Sequence, residues 1–212
     1  VNKEAYAHHA GDYVKNAYDP QFNVDGAFTT EKIDVEPWFD MELFMGVSQE
    51  TRLGGDVMDR FMTLWKNWLP HLTVKGIDTG KIKYLLVALD ESVEQDVDKA
   101  WESSPSNAFL YNALAQTMCM AAVHAVIPEV QDAGCAPAPK PTATLREALE
   151  AEGIPYSNDK DPILSRRYAV VTHYPFKGGC EICVLQSNCP KGQGQMEATS
   201  VVLPGYEHPQ QM

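Results

Sequence analysis

Apolar positions recur at helical spacing through the middle of the chain. Asp56 follows Gly54 and Gly55 and precedes Val57, Met58, Phe61, Met62, Trp65, Trp68 and Leu69, an apolar face that Pro70 closes; the spacing predicts a helix. A second helix is expected from about Asp78. It would place Ile82, Leu85, Leu86, Leu89, Val93, Val97 and Trp101 on one face and turn Asp90, Glu91, Glu94, Asp96 and Asp98 to water. A third, from about Ser106 to Ile127, is apolar nearly all round, the pattern of a central helix enclosed by others. Shorter amphipathic helices are expected at Lys3 to Tyr18 and at Pro37 to Val47, the latter with proline at its first position, where a missing N–H costs nothing.

The pattern changes after Ile127. The run from Asp132 to Pro141 holds three prolines and a glycine and reads as an extended connector. Thr144 and Glu147 form a capping box for a short helix ending before Gly153. Ser157 to Pro162 is turn chemistry, and Arg167 to Tyr174 alternates Tyr168, Val170, Thr172 and Tyr174 against Ala169, Val171 and His173, a strand pattern. Val201 to Leu203 is the one apolar patch of a Gly- and Gln-rich tail. These elements predict a mainly α fold: a helical bundle over 1–130, a Pro-rich connector over 131–141, and a small irregular α+β appendage over 142–212.

Composition narrows the function classes. At 44% hydrophobic and 22% charged, the 212 residues can bury a sizeable core. A formal charge of -12 disfavours a phosphate-binding surface, so no nucleic-acid partner is expected and a protein or small ligand is favoured. Val1 to Tyr6 is polar and mixed, without a signal-peptide pattern. Ser103 to Pro128 lacks Asp, Glu, Lys and Arg, but its Asn107, Asn112, Gln116, Thr117 and His124 favour a buried helix over a membrane span.

Cysteine usage carries the chemistry. Cys180, Cys183 and Cys189 follow Gly178 and Gly179 in a C-x2-C-x5-C-P run, so three of the five cysteines crowd into ten residues. Such crowding in a chain too long for a disulfide miniprotein points to metal ligation in a reducing compartment, the cytoplasm. Thiolates bind soft metals, and paired glycines let backbone N–H groups approach the sulfurs. One close pair with a third Cys before Pro favours an iron–sulfur cluster, most simply 4Fe-4S, over zinc; free or redox-active thiols are the remaining reading. The fourth ligand is open among Cys135, which a flexible connector could bring back to the loop, His173, seven residues before Cys180, and Cys119, which also suits a small buried hydrophobe.

Two resemblances bear on this. The loop resembles the C-x6-C-x2-C-x5-C iron–sulfur loop of endonuclease-III-like DNA glycosylases, with Cys180, Cys183 and Cys189 matching its last three cysteines and His173 standing at the first. The helix-hairpin-helix turn and catalytic Lys/Asp context of that family are absent, so the resemblance implies a cluster and not DNA repair. A similar C-x2-C-x5-C ending occurs in the accessory protein that delivers molybdenum in nitrogenase assembly. The blocks Val35 to Met45, Phe61 to Pro70 and Ala108 to Ala115 resemble those of the TorD-like chaperones that escort molybdenum oxidoreductases, which implies a role beside a larger redox enzyme.

No P-loop, G-x-G-x-x-G, H-E-x-x-H or G-x-S-x-G motif is present. His8 and His9 are neighbours on a helix, about 100 degrees apart, and chelate one ion poorly. His124 is expected to be an interior histidine. Met58, Met62, Met118 and Met120 are expected to fill the core, and Trp65, Trp68 and Trp101 to face it. The expectation is an iron–sulfur or metal-binding accessory or assembly protein. The alternatives are an electron-transfer or structural subunit of a larger redox complex, or a protein with a structural zinc site.

Overall fold

A computed structural model describes residues 28–154, 156, 164–172, 176 and 180–189. The expected helix at Lys3 to Tyr18, His8 and His9, the Ser157 to Pro162 turn, His173 and the tail lie outside the described residues. The fold is mixed and helix-leaning, with a four-stranded antiparallel sheet at its centre. Helix predominates, as the sequence leads one to expect, and the sheet is the part that the bundle reading lacked.

The sheet follows chain order: β1 (Thr29–Lys32), β2 (Leu72–Asp78), β3 (Lys83–Leu89) and β4 (Tyr168–Thr172), each antiparallel to its neighbour. Between β1 and β2 come α1 (Met41–Ser48) and α2 (Gly55–Trp68), and between β3 and β4 come α3 (Glu91–Ser103), α4 (Pro105–Val126), α5 (Pro128–Ala133) and α6 (Ala143–Ala151). The register sets Val74 opposite Val87 and Leu85 opposite Val171.

The helix expected from Asp78 to Trp101 is therefore three elements: the end of β2, all of β3, and α3. The reason lies in how β3 is buried. Leu85, Val87 and Leu89 join the main core with Phe44, Phe61, Trp68, Val97, Leu114 and Met118, while Tyr84 and Leu86 enter a second core with Leu145, Leu149, Ile154 and Tyr156. A strand covered on both faces is apolar at every position, and an unbroken apolar run satisfies a helical period as well as a strand period. Burying a single side chain such as Leu85 contributes about 1.5–3 kcal/mol before entropy is counted.

The same two cores engage β4, whose Ala169 and Val171 face the first and Tyr168 and Val170 the second. The strand expected at Arg167 to Tyr174 thus forms over Tyr168–Thr172, but as an edge of the main sheet. Residues 142–172 contribute both this strand and, through α6, the layer covering the second face. The Pro-rich stretch is folded in as well. Pro137, Ala138 and Pro139 are buried, and the Pro139 carbonyl accepts the Tyr156 hydroxyl at 2.7 Å.

The helix ends show local chemistry. The first helix starts at Met41, capped by Asp40, whose carboxylate accepts the Leu43 N–H at 3.0 Å. Pro37 does not begin it, as the sequence suggested; its carbonyl instead accepts the indole N–H of Trp65 at 3.2 Å. Helix α6 is capped by Thr142, two residues before the expected capping box, through a bond from Leu145 N–H at 3.3 Å. Ser104 and Pro105 open α4, whose buried face includes Leu114, Thr117, Met118 and Cys119. Among the described residues α4 is the one helix long and apolar enough to cross a membrane, and in the fold it packs on α1, α3, β3 and β4. Trp65 and Trp68 are buried, the latter donating to Asp96 of α3 at 3.1 Å. Trp101 is instead 38% exposed, edge-on to Phe109, and Met62 is 39% exposed.

The β2–β3 turn is fixed by Asp78, which accepts the Gly80 N–H at 2.7 Å and pairs with Lys83 at 3.0 Å. Gly80 has φ +78, and a β-carbon there would meet nothing within 4 Å. The Gly80→Ala change therefore costs backbone strain alone, and a destabilisation of about 1–2 kcal/mol is expected in denaturant unfolding. The Gly80 N–H first, and then Lys83, hold the Asp78 carboxyl below its usual range. Its folded pKa is depressed, so its stabilisation is present above the unfolded value of about 3.9 and is lost as pH falls through the lower folded value. The stability gap between the native chain and Asp78→Asn is expected to shrink as the unfolding series is carried below about pH 4; a gap constant across that range would contradict the assignment.

Candidate metal centre

The cysteine run folds as two short 3-10 turns, Cys180–Ile182 and Gln186–Asn188, with Cys183 to Leu185 between them. The turns bond to themselves: Cys183 N–H donates to the Cys180 carbonyl at 3.1 Å and Gln186 N–H to the Cys183 carbonyl at 3.2 Å. Cys189 N–H reaches the Gln186 carbonyl at 3.4 Å. Residues three apart in such a turn lie on one side of it, so the C-x2-C spacing suits Cys180 and Cys183 sharing a ligand. All three thiols are half-buried and free.

Among the described residues, Ala138 bonds the loop to the body through its backbone. Ala138 donates its N–H to the Cys183 sulfur at 3.4 Å, and its carbonyl accepts the Val184 N–H at 3.1 Å. Ala138 is fully buried and lies three residues after Cys135. The stretch before it turns sharply: α5 ends at Gly134 in the left-handed region (φ 60), which sends the chain back towards the loop. Cys135 itself is exposed, its sulfur 3.7 Å from the Ala136 carbonyl. The connector thus folds back beside the loop.

The chemistry of these donors fits a soft metal: thiols on tight turns, with a backbone N–H already directed at one sulfur, the arrangement that tunes a thiolate-bound centre. Their positions do not form a coordination shell, because among the described residues no three His, Cys, Asp or Glu side chains gather closely enough to hold an ion. His173, Gly178 and Gly179 lie outside the described residues.

Cys119 is set apart from this region. It is fully buried in α4 within the main core, where burial pushes its thiol well above the usual range and keeps it protonated. His124, near the end of the same helix, is half-buried, and desolvation lowers its pKa while Asp40 partly offsets the shift. The carboxylate facing it comes from the cap of α1, a relation that spacing along α4 does not contain. Ala138 was also invisible to motif reading, because an anchor working through its backbone has no distinctive side chain.

No protein-family model, curated protein or solved structure matches the chain.

The burial order predicts thiol reactivity. In metal-free protein under native conditions, a thiol-reactive probe is expected to modify Cys135 first, then Cys180, Cys183 and Cys189, and to leave Cys119 untouched until the chain is unfolded. Mass mapping of the labelled sites over time checks this; early labelling of Cys119 would contradict its burial.

Proposed function

We propose that Cys180, Cys183, Cys189 and Cys135 bind an iron–sulfur cluster, and that the protein is an accessory or assembly factor for a larger redox metalloenzyme. The observation carrying this reading is the double attachment of the cysteine loop to Ala138, which ties the three clustered thiols to the segment that bears Cys135. It favours Cys135 over His173 as the fourth ligand, since a short, turned stretch separates Cys135 from the anchor. Cys119, buried and protonated, is a poor ligand.

The bound group would supply electron transfer or a cargo of metal, while the chain supplies thiolates and the Ala138 N–H that stabilises charge on the Cys183 sulfur. Metal binding is coupled to local folding, so closing the ligand set falls to the loop and to the segment carrying Cys135. Exposure of Cys135 supports an accessory role rather than that of a resident electron carrier, because an accessible ligand lets a receiving protein compete for the metal. A structural zinc site uses the same four thiols and is separated by composition alone.

Anaerobic purification with iron, sulfide and zinc analysis and an absorption spectrum tests the proposal. Iron and sulfide in equal amounts with broad visible absorption are expected, and colourless protein with stoichiometric zinc would replace the cluster by zinc. The Cys135→Ser and Cys183→Ser variants are expected to lose most of the metal and His173→Ala to retain it. The reverse pattern would move the fourth position to His173.

A further inference from the structure

A second polar feature lies at the start of β4, independent of the cysteine loop. A cleft of about 390 Å³ opens between α3, α4 and the segment leading into β4, lined by Glu94, Asn112, Gln116, Ser165, Arg166 and Arg167 among others. Helix α4 is otherwise dominated by buried apolar residues, and Asn112 and Gln116 sit one turn apart on the same side of it. Neither amide makes a hydrogen bond among the described residues, so both keep their donors and acceptor available.

The two arginines differ. Arg166 is committed: it donates to Glu94 at 3.1 and 3.2 Å and pairs with Asp98 at 2.8 Å. Arg167 is not. Its closest carboxylate oxygen, on Glu94, is 3.8 Å from Nη1, too long for a hydrogen bond. Its Nε is buried without a partner. The backbone here is meanwhile fixed, because Ser165 Oγ accepts both the Arg167 and the Tyr168 N–H at 3.1 Å. An acidic chain thus holds one guanidinium, with its donors unspent, on a stiff segment facing two unengaged amides.

We propose that this cleft binds a small monocarboxylate whose remaining part carries an amide or hydroxyl group, with the carboxylate on Arg167 and the other polar group on Asn112 and Gln116. Glu94 and Asp98 together balance the charge of the two guanidiniums and both engage Arg166, so the ligand meets the donors of Arg167 alone, and one guanidinium fork matches one carboxylate. A dianion such as phosphate would add repulsion from Glu94. Arg167 presents a planar fork suited to a carboxylate, and paired amides read groups that both donate and accept.

Titration of the full chain with N-acetylglycine, followed by calorimetry and amide chemical shifts at low salt, tests the proposal. Saturable binding is expected, with shifts at residues 112, 116 and 165–168. N-acetylglycinamide, which lacks the carboxylate, and inorganic phosphate are each expected to bind at least about tenfold more weakly. Arg167→Lys keeps the charge but removes the fork, and is expected to weaken N-acetylglycine binding by about tenfold. Should that variant unfold by circular dichroism, Gln116→Ala, at a half-exposed position, carries the test with a several-fold loss expected. No saturation at millimolar N-acetylglycine, equal binding of the amide or of phosphate, or unchanged affinity in a folded Arg167→Lys or Gln116→Ala chain would overturn the proposal.

Discussion

The strand Lys83–Leu89 has almost no solvent face. Its alternate side chains feed two different cores, so each layer of helices is held by the same short piece of backbone. A one-residue slip in its register would exchange Tyr84 and Leu86 with Leu85 and Val87, putting a phenol among the tryptophans and leaving α6 without its partners. The neighbours on both sides pin it: β2 along its whole length and β4 along five residues. The turn at Asp78 and Gly80 sets where that pairing begins. The placement of α3, whose cap Asp90 follows the strand immediately, is inherited from this register, as is the position of the segment 164–168.

Two-sided burial also explains what could be read from the sequence. Helices α2 and α4 were legible because one is amphipathic with clear stops and the other carries no charge over more than twenty residues. The strand Tyr168–Thr172 was legible through its alternation. The stretch Tyr84–Leu89 was not, since every position is apolar and the run joins smoothly to the periodic face of α3. The glycine at position 80, set between Asp78 and Lys83, was the available signal of a hairpin, and it was outweighed by the helical spacing of Ile82, Leu85, Leu86 and Leu89. Small errors at Pro37 and Thr144 have a common origin: a good capping residue marks a neighbourhood, and tertiary contacts, such as Trp65 on the Pro37 carbonyl, choose within it.

For the candidate centre, the sequence made the thiols conspicuous by their crowding but held little about what surrounds them. The relation between Cys135 and the loop depends on a left-handed residue at Gly134 and on backbone bonds at Ala138, neither of which a spacing pattern records. The arginine cleft was missed for a different reason. In the sequence Asn112 and Gln116 are polar marks on an apolar helix, Arg167 is the first residue of a strand pattern, and Arg166 stands in no pattern; their meeting is a product of β4 joining the main sheet.

Ala138 joins these parts in another way. Its N–H and carbonyl both hold the cysteine loop, its methyl group is enclosed, and the next carbonyl, on Pro139, receives the hydroxyl of Tyr156 from the second core. Flanking prolines at 137 and 139 stiffen the stretch. A displacement of the loop therefore has a path one residue long into the far side of the sheet. The alanine acts as the fulcrum of a short lever, making the second core around Tyr156 a mechanical neighbour of the thiols.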